Sequence, residues 1–372
     1  MRKFATIFTH LDSIHLTKDV GMLPMAFSKE RGYEKSILFY WRRTRSSPAI
    51  VAGEYESLLE IFPITAKFKF IYFFKLILAL CSQKVSDVNL YHLSSEVYIL
   101  SPLLKFLRFK MLLKLDLDKS SVEKLLEIYS RHSITKYFRT AFLNLFDYVL
   151  IESSPLFDQA KMIWPNANLL YFPNGILQET IPSAIELTKY NHRDNKIIVV
   201  GRIGAYQKNH ELILKALSIV KDIGSWKVEF IGPVDNTFKI KFDRFLLENP
   251  LLKGKVELLG NKSRHELFEI YSKTRIFLMT SRYEGSSLAI LEAAMMGCFI
   301  ITTEIGGADE VTDFGRLGIL INQDDPVELA DKLLGIFRSD DSVEKTYLER
   351  RLFVKEHYNL SNILLRSFND IR

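Results

Sequence analysis

The sequence predicts an α/β protein built from two doubly wound, Rossmann-like domains that face each other across a cleft. Short apolar segments typical of strands alternate with longer helical segments in both halves of the chain. A polar, weakly periodic segment at 178–195 separates the two sets. The 372 residues, 48% of them hydrophobic, suffice for two packed cores. Doubly wound proteins bind ligands beyond the carboxyl ends of their strands, so we expect a ligand in the crevice between the domains.

The N-terminal domain is expected over residues 1–177, with an early helix from Gly21 to Arg31. Its six predicted strands lie at 4–8, 36–40, 88–92, 111–115, 147–151 and 169–175. After a linker at 178–195, the second domain is expected over 196–353, with strands at 196–201, 228–232, 256–260, 276–279 and 299–303. The chain from about Val354 to Arg372 is expected to return to the N-terminal domain.

Charge is unevenly distributed along the sequence. Residues 1–175 hold 23 Lys and Arg against 16 Asp and Glu, whereas the remainder holds 27 against 28, so the formal net charge of +6 belongs to the N-terminal half. Nucleic acid, anionic lipid and phosphorylated acceptors are the partners that such a charge favours. No nucleic-acid recognition motif accompanies it, so we expect no nucleic acid partner.

Three basic and aromatic segments in this half are candidates for peripheral contact with a membrane, at 64–80, 103–114 and 131–146. Lysines among Phe and Leu on a helix favour insertion at an anionic bilayer surface. The alternative is that the apolar residues form domain core and the lysines form its solvated rim. We expect no transmembrane helix, since no run of about 18 uncharged apolar residues is present.

The cellular compartment follows from the cysteines and the first residues. Cys81 and Cys298 lie far apart in apolar surroundings, which is typical of a reducing compartment and not of a metal site. The start MRKFATIFTH does not predict a cleavable signal peptide. We expect a cytoplasmic protein, with the inner face of the cell membrane as its point of contact if the basic segments bind lipid.

The segment SRYEGSSLAILEAAMMGCFIITTEIGGADEV, residues 281–311, predicts a binding site between two strands. A Gly285-Ser286-Ser287 loop that opens a helix leaves backbone N–H groups unpaired, which favours an anion such as phosphate. Glu284 and Glu292 lie on either side of this loop, and carboxylates do not bind phosphate. They are suited to accept hydrogen bonds from hydroxyl groups, so the segment predicts a phosphorylated sugar or a nucleotide sugar as the ligand.

A second candidate site lies in VVGRIGAYQKNHELILKAL, residues 199–217, again in a loop between a strand and a helix. Arg202 offers a planar fork of donors and Lys208 a compact charge, and both suit a diphosphate. Gly201 and Gly204 permit close approach of the backbone. The alternative is two solvated cations at the start of a helix. The Glu284 loop follows about eighty residues later at the matching place of the same sheet, which favours the site.

Taken in order, these motifs resemble the nucleotide-sugar-binding domain of family 4 glycosyltransferases, which are retaining enzymes with the GT-B fold, here of the bacterial surface polysaccharide type. Glu284 and Glu292 match the E-x7-E pattern of that family. The other matching positions are Gly201-Arg202, Lys208, Gly285-Ser286-Ser287-Leu288, Leu291, Ala293, Gly297, Gly306-Gly307, Glu310 and the Asn174-Gly175-Ile176 turn. The resemblance is strong in the C-terminal half and extends over the whole chain only in architecture.

The resemblance implies a role for each donor-side residue. Arg202 and Lys208 would bind the donor diphosphate and stabilise the leaving nucleoside diphosphate without a metal. Backbone groups from Gly285 to Leu288, which include Ser286 and Ser287, would hold the phosphates beside Gly201 and Gly204. Glu292 would accept hydrogen bonds from the ribose, and Glu284 would face the donor sugar. No cofactor is expected; a UDP-sugar is the favoured donor and a GDP-sugar the alternative.

The acceptor side departs from the family pattern. Many relatives carry a Gly-Gly loop after the first strand, where this sequence has only Gly21. Many also place a histidine at the position that Asp116 occupies here. Asp116 could hydrogen-bond a sugar hydroxyl or stabilise positive charge at the anomeric carbon. His92 is the other acceptor-side candidate, and His10 and His15 are further histidines of this half.

The function implied is a retaining glycosyltransferase that moves a hexose from a nucleotide diphosphate sugar to a glycan or a lipid-linked saccharide. Two alternatives share the fold. One is a nucleotide-sugar epimerase, which needs the phosphate site but no acceptor. The other is a catalytically silent subunit that supports a partner glycosyltransferase. Such subunits usually lose the phosphate-site residues, which this chain retains.

Overall fold

The computed structural model describes residues 2–44, 50–117, 123, 126–127, 140–305, 307–339 and 341–368, the side chains of 341 and 342 excepted. The chain divides into two compact units. The N-terminal unit consists of Met1–Thr180 together with Asn359–Arg372, and the C-terminal unit of Ile181–Tyr358. Each unit has its own hydrophobic core.

The N-terminal unit is built on a seven-stranded parallel sheet of order β3-β2-β1-β4-β5-β6-β7. Its strands are β1 Lys3–Ile7, β2 Ser36–Arg42, β3 Leu59–Thr65, β4 Val85–Tyr91, β5 Lys110–Leu115, β6 Tyr148–Ile151 and β7 Leu169–Tyr171. Its described helices are α1 Asp19–Glu30, α2 Lys69–Ser82, α3 Ser95–Phe106 and α4 Ser154–Ile163. Short 3-10 turns lie at Ser13–Thr17, Gly53–Tyr55 and Gln178–Thr180.

The C-terminal unit contains a six-stranded parallel sheet of order β10-β9-β8-β11-β12-β13. Its strands are β8 Asp194–Val200, β9 Lys227–Ile231, β10 Val256–Gly260, β11 Thr274–Met279, β12 Phe299–Thr303 and β13 Gly318–Ile321. Its helices are α5 His210–Val220, α6 Asn236–Glu248, α7 Arg264–Lys273, α8 Leu288–Met295, α9 Ala308–Val311, α10 Pro326–Arg338, α11 Asp341–Lys345 and α12 Tyr347–His357. Further 3-10 turns lie at Tyr190–His192, Tyr206–Lys208 and Pro250–Leu252.

Local sequence signals account for several helix boundaries. The Ser263 hydroxyl accepts from the backbone of Glu266, whose carboxylate accepts in return from the backbone of Ser263, and this capping box begins α7. Asp235 caps α6 with its side chain alone, which accepts from two backbone N–H groups. Asp325 caps α10, which has proline at its first position.

The last described helix, α13 Leu360–Phe368, belongs to the N-terminal unit although it follows the C-terminal one in sequence. Its N–H of Leu360 donates to the carbonyl of Ile176 at 3.0 Å. At its end, Phe368 packs edge-on against Phe27 of α1, and the Arg31 guanidinium donates to its carbonyl. The chain thus returns to pack on α1.

The predicted fold class is confirmed, since both units are doubly wound parallel α/β sheets. Every predicted strand is present within a few residues of its expected position. The strands that the sequence did not predict, β3 and β13, are both at an edge of their sheet. β3 contains Pro63, which weakens a strand pattern and is tolerated mainly where one side of the strand lacks a hydrogen-bonded neighbour.

Two glycines permit close contact between the ends of β8 and β9. Gly232 follows β9 with φ of 135°, and a Cβ atom there would lie 1.9 Å from the carbonyl oxygen of Gly201. The backbone N–H of Gly232 donates to the carbonyl of Gly260 at 2.9 Å, and this bond helps to hold the segment in place. Glycine is therefore required at position 232 by both conformation and space.

We predict that Gly232→Ala lowers the free energy of unfolding by about 3 kcal/mol, because the new methyl group meets backbone and not a flexible side chain. Urea denaturation measures the loss. Gly224→Ala is the matched control, since Gly224 also has positive φ (57°) but has nothing within 4 Å of its Cβ position. An equal loss in both variants would show that the contact with Gly201 is unimportant.

Candidate functional site

The loops that follow β8 and β11 lie side by side, because these two strands are neighbours in a parallel sheet. The Thr280 hydroxyl, just after β11, hydrogen bonds to the carbonyls of Lys208 and Asn209 at 3.1 and 3.0 Å. The Gln207 amide donates to the carbonyl of Tyr283 at 3.0 Å. The two segments predicted from the sequence to carry phosphate-binding residues therefore form one structure.

An ion pair between Lys208 and Glu284 occupies the centre of this structure. The Lys208 ammonium contacts the Glu284 carboxylate, and the Ser281 hydroxyl donates to the same carboxylate oxygen at 3.1 Å. The side chains are only 15% and 13% exposed. Gly201 lies beside the Lys208 side chain, which a Cβ atom at this position would meet in ordinary contact at 3.4 Å. The sequence brought these residues to one site but did not predict that they pair.

Arg202 and Gly204 lie on the β8 loop next to this pair. The exposed Arg202 guanidinium donates to the Gln207 side-chain oxygen at 2.8 Å. Gly204 has φ of 92°, and its N–H donates to Nδ1 of His210 at 3.0 Å. Burial, with a smaller contribution from the charge of Lys208, lowers the pKa of His210 to about 3, so this ring stays neutral and accepts.

The Gly285-Ser286-Ser287 loop leads directly into α8, whose first residue is Leu288. The start of α8 therefore presents backbone N–H groups, as the sequence predicts for a phosphate site. Gly307 lies nearby, with its Cβ position 4.0 Å from both the carbonyl of Gly285 and the hydroxyl of Ser286. Gly306, another position of the resemblance, lies outside the described residues.

Glu292 lies on α8 and forms an ion pair with Arg264, the first residue of α7. The Arg264 guanidinium is 2.7 Å from the carboxylate, and it also stacks on the Phe268 ring at 4.7 Å from the centroid. The Glu292 side chain is 9% exposed. Arg264 therefore helps to orient the carboxylate for which the family resemblance implies contact with the ribose.

Three titratable side chains follow three neighbouring strands of the N-terminal unit. His92 comes directly after β4, Asp116 after β5 and Glu152 after β6. His92 is exposed, and its backbone has the left-handed conformation (φ of 57°). Its backbone N–H donates to the carbonyl of Lys114. The sheet thus brings the acceptor-side candidates Asp116 and His92 to one edge, together with Glu152, which sequence reasoning did not select.

Beneath these residues lies the buried ammonium of Lys114, on β5 and 2% exposed. It is 3.0 Å from the Glu152 carboxyl, 2.6 Å from the Asn174 side-chain oxygen and 3.4 Å from the Asp19 carboxylate. Burial opposes its charge, but the Glu152 and Asp19 carboxyls raise the pKa of Lys114 above its usual range. The ammonium is therefore a fixed charge within the N-terminal unit.

The pKa values of Glu152 and Asp116 shift in opposite directions. Burial raises the pKa of Glu152 well above its usual range, against the attraction of Lys114, and the neighbouring Asp116 carboxyl adds to the rise. The interaction with Glu152 lowers the pKa of Asp116, with further help from the charge of Lys114. Asp116 therefore stays ionised at the exposed end of β5.

The remaining acceptor-side candidates have structural surroundings. Gly21 lies inside α1, where a Cβ atom would come within 2.5 Å of the backbone of Leu16, so packing accounts for this glycine. His15 accepts from the backbone N–H of Asp12 in a capping box. His10 is exposed near the end of β1. Among the described residues, no group of three or more His, Cys, Asp or Glu side chains is placed to hold a metal ion.

The fold and the paired loops define a class of protein. Two parallel-sheet Rossmann-like domains form the GT-B architecture of glycosyltransferases. The structure of HepE from Anabaena in complex with UDP-glucose aligns with 100% of this chain and 99% of its own, with a TM-score of 0.70 and 11% identity, which shows a shared fold. Residues 194–339 match the family of glycosyl transferases group 1, and this match covers both candidate loops of the C-terminal unit.

Curated relatives are similar over part of their length. An uncharacterized glycosyltransferase, MJ1178 of Methanocaldococcus jannaschii, is 28% identical over 141 residues, which is 37% of this chain and 38% of the relative. Poly(glycerol-phosphate) alpha-glucosyltransferase of Bacillus subtilis is 24% identical over 241 residues, 63% of this chain. The chain spans about a third of the length of that relative, 34%.

We predict a pH dependence of stability that Glu152 causes. Its pKa in the folded protein is raised above that of the unfolded chain, about 4.3. Between these two values the folded protein keeps a proton that the unfolded chain has released, so stability falls as pH rises. Glu152→Gln should remove this part of the slope, measured by urea denaturation from pH 5 to 8.

The control for this measurement is Glu248→Gln, because Glu248 is exposed at the end of α6. It should leave the slope unchanged. Asp116 contributes in the opposite direction and in a lower window, since its pKa is lowered and its stabilisation is lost only as pH falls below that of an ordinary Asp, about 3.9. Equal slopes in wild type and Glu152→Gln would contradict the raised pKa of Glu152.

Proposed function

We propose that this protein is a retaining glycosyltransferase that transfers a hexose from a nucleotide diphosphate sugar to a glycan or a lipid-linked saccharide, in the synthesis of a cell-surface polysaccharide. The observation that carries the proposal is the Lys208–Glu284 pair beside the start of α8, with Glu292 held on the same helix. A cation, the backbone N–H groups at the start of a helix and two carboxylates held by ion pairs match a diphosphate with a hydroxylated group on each side.

Charge stabilisation is the main task of the C-terminal unit in this proposal. As the bond between the sugar and the diphosphate breaks, negative charge grows on the departing phosphate oxygen. Lys208, Arg202 and the N–H groups at the start of α8 would stabilise that charge from fixed positions. The departing oxygen would accept the proton of the acceptor hydroxyl on the same face of the sugar, which gives retention without a protein nucleophile or a metal.

The donor favoured is a UDP-sugar. HepE, which has the same fold, has been solved with UDP-glucose, and the Bacillus relative is named an alpha-glucosyltransferase; both names support a hexosyl donor for this chain. A GDP-sugar is the alternative donor. Glu292 would accept hydrogen bonds from the ribose, and Glu284 from the hydroxyls of the sugar.

On the acceptor side we assign the main role to Asp116. Its lowered pKa keeps it ionised, so its carboxylate would stabilise positive charge at the anomeric carbon or accept from a sugar hydroxyl. His92 and Gly21 stay predictions for the acceptor side. His92 is exposed, whereas packing against Leu16 already accounts for Gly21. Glu152 and Lys114 would act through Asp116, as positioning residues.

Two alternatives make different predictions. A silent subunit would have lost the need to bind a donor, whereas this chain keeps Arg202, Lys208, Glu284 and Glu292 in contact with ordered partners. A nucleotide-sugar epimerase would bind the same donor and release a free sugar nucleotide product without an acceptor. Product analysis with and without a saccharide acceptor distinguishes the epimerase from the transferase.

We predict that wild-type protein binds one of UDP, GDP, ADP or dTDP and that Lys208→Met weakens this binding by about 10- to 100-fold, because a charge-assisted contact with the diphosphate is lost. Titration calorimetry measures the affinity. Lys253→Met removes an exposed lysine of the same unit and should have no effect. Folded wild-type protein that binds none of the four would contradict the proposed function and favour a silent subunit.

A second prediction concerns the ribose. Arg264→Met removes the partner that orients Glu292, so discrimination between the preferred nucleoside diphosphate and its 2′-deoxy form should fall, while Arg264→Lys should restore part of it. The ratio of the two dissociation constants is the quantity to measure. Arg244→Met, at an exposed arginine of α6, is the control. An unchanged ratio would mean that Glu292 does not contact the ribose or does not need Arg264.

A further inference from the structure

The outer side of α2 carries a stripe of exposed aromatic and aliphatic side chains. Phe70, Phe74 and Leu78 are spaced four residues apart, which places them on one side of a helix. They are 70%, 66% and 53% exposed. Phe68 precedes the helix, is half exposed, and stacks on Phe70 with the ring centroids 5.9 Å apart. The opposite side of α2 packs into the core of the N-terminal unit through residues such as Leu76.

The neighbouring helix α3 repeats this arrangement. Ile99, Leu103 and Phe106 follow one side of the helix and are all exposed, Phe106 by 82%. An ion pair between Lys69 and Glu96, 2.6 Å apart, joins the starts of the two helices. Its hydrogen bond lowers the pKa of Glu96 to about 2, so the pair persists at physiological pH. This pair brings the starts of the two helices together, and the two stripes are here called the α2–α3 face.

The part of the chain that contains the α2–α3 face is basic. Residues 64–110 contain seven Lys and Arg against two Asp and Glu, a net charge of +5 in a chain whose total is +6. Of the two acidic residues, Asp87 is buried and Glu96 is paired with Lys69, while Lys105 lies 3.5 Å from Asp147 outside the segment. Lys67 lies over the Phe68 ring, and Lys75 is exposed next to Phe74. Cations thus border the apolar stripes.

We propose that the α2–α3 face is a docking surface for the anionic surface of a lipid bilayer. Large apolar side chains bordered by lysines match a bilayer interface, where the rings enter the acyl boundary and the ammonium groups meet anionic headgroups. None of the helices in the described ranges is long and apolar enough to span a membrane. The contact is therefore peripheral. It does not depend on the proposed enzymatic activity.

A second copy of this chain is a less suitable occupant of the face. Two copies that met through it would bring the exposed Lys67 and Lys75 of one copy close to those of the other. Repulsion of this kind disfavours self-association. An anionic bilayer supplies the missing negative charge together with an apolar layer. The third basic segment of the sequence, 131–146, lies outside the described residues up to position 139.

Co-sedimentation of the full chain with vesicles tests this proposal. We expect wild-type protein to bind phosphatidylcholine vesicles that contain phosphatidylglycerol about tenfold or more tightly than vesicles of phosphatidylcholine alone. Phe70→Ser/Phe74→Ser should weaken binding to the anionic vesicles by about tenfold or more. Because both rings are exposed, circular dichroism and thermal melting should show that this variant keeps its fold.

The chain offers a matched control pair in Leu348→Ser/Leu352→Ser. These residues are also four apart on one helix, α12 of the C-terminal unit, and are 66% and 67% exposed. This pair should leave vesicle binding unchanged. An equal loss in both double variants would overturn the assignment of the face, as would wild-type protein that fails to bind the anionic vesicles.

Charge reversal provides an independent arm. Lys67→Glu/Lys75→Glu should reduce binding by about tenfold or more and should remove most of its dependence on salt, whereas Lys239→Glu/Lys253→Glu, at exposed lysines of the C-terminal unit, should have little effect. Analytical ultracentrifugation of the same proteins checks the rival occupant. Self-association that Phe70→Ser/Phe74→Ser abolishes, without any vesicle binding by wild type, would overturn the proposal in favour of a second copy.

Discussion

Parallel pairing of β8 with β11 is the constraint on which the candidate site depends. Their register places Ile197 beside Ile276 and Ile198 beside Phe277, so both strands end at the same edge of the sheet. Lys208 and Glu284, 76 residues apart in sequence, become neighbours for this reason. The same rule operates in the N-terminal unit, where three adjacent strands end at His92, Asp116 and Glu152. Strand order thus brings together functional side chains that are far apart in sequence.

The sequence predicted the features that have a local signal. Buried strands, a glycine loop before a helix and the spacing of two glutamates all lie within short segments, so the fold class and both candidate loops could be predicted. Arg264 and Lys114 gave no such signal. Each matters through a partner distant in sequence, Glu292 for one and Glu152 for the other, and only the folded chain shows those pairings. A lysine within an apolar strand was nevertheless a signal, because burying an ammonium requires compensating carboxyls.

The two buried or half-buried lysines show why burial alone does not define a binding residue. Lys114 is 2% exposed, and its ammonium already has three oxygen partners, from Glu152, Asp19 and Asn174. A ligand would have to displace one of them to bind it. Lys208 is 15% exposed and contacts one carboxylate at the mouth of a loop. It is therefore the more accessible of the two. The first lysine stabilises the arrangement of its neighbours, and the second has the accessibility that binding requires.

This accessibility gives the Lys208–Glu284 pair a defined part in the proposed function. In the absence of a ligand, each side chain neutralises the other, which lowers the cost of holding both charges away from water. A diphosphate carries more negative charge than a single carboxylate, so it competes favourably for the ammonium. If Lys208 turned to the phosphate in the proposed reaction, the Glu284 oxygens would become available to the hydroxyls of the sugar that the same donor carries. One exchange of partners would therefore prepare both residues at once, and the Ser281 hydroxyl, at 3.1 Å, would keep Glu284 in place while it occurs.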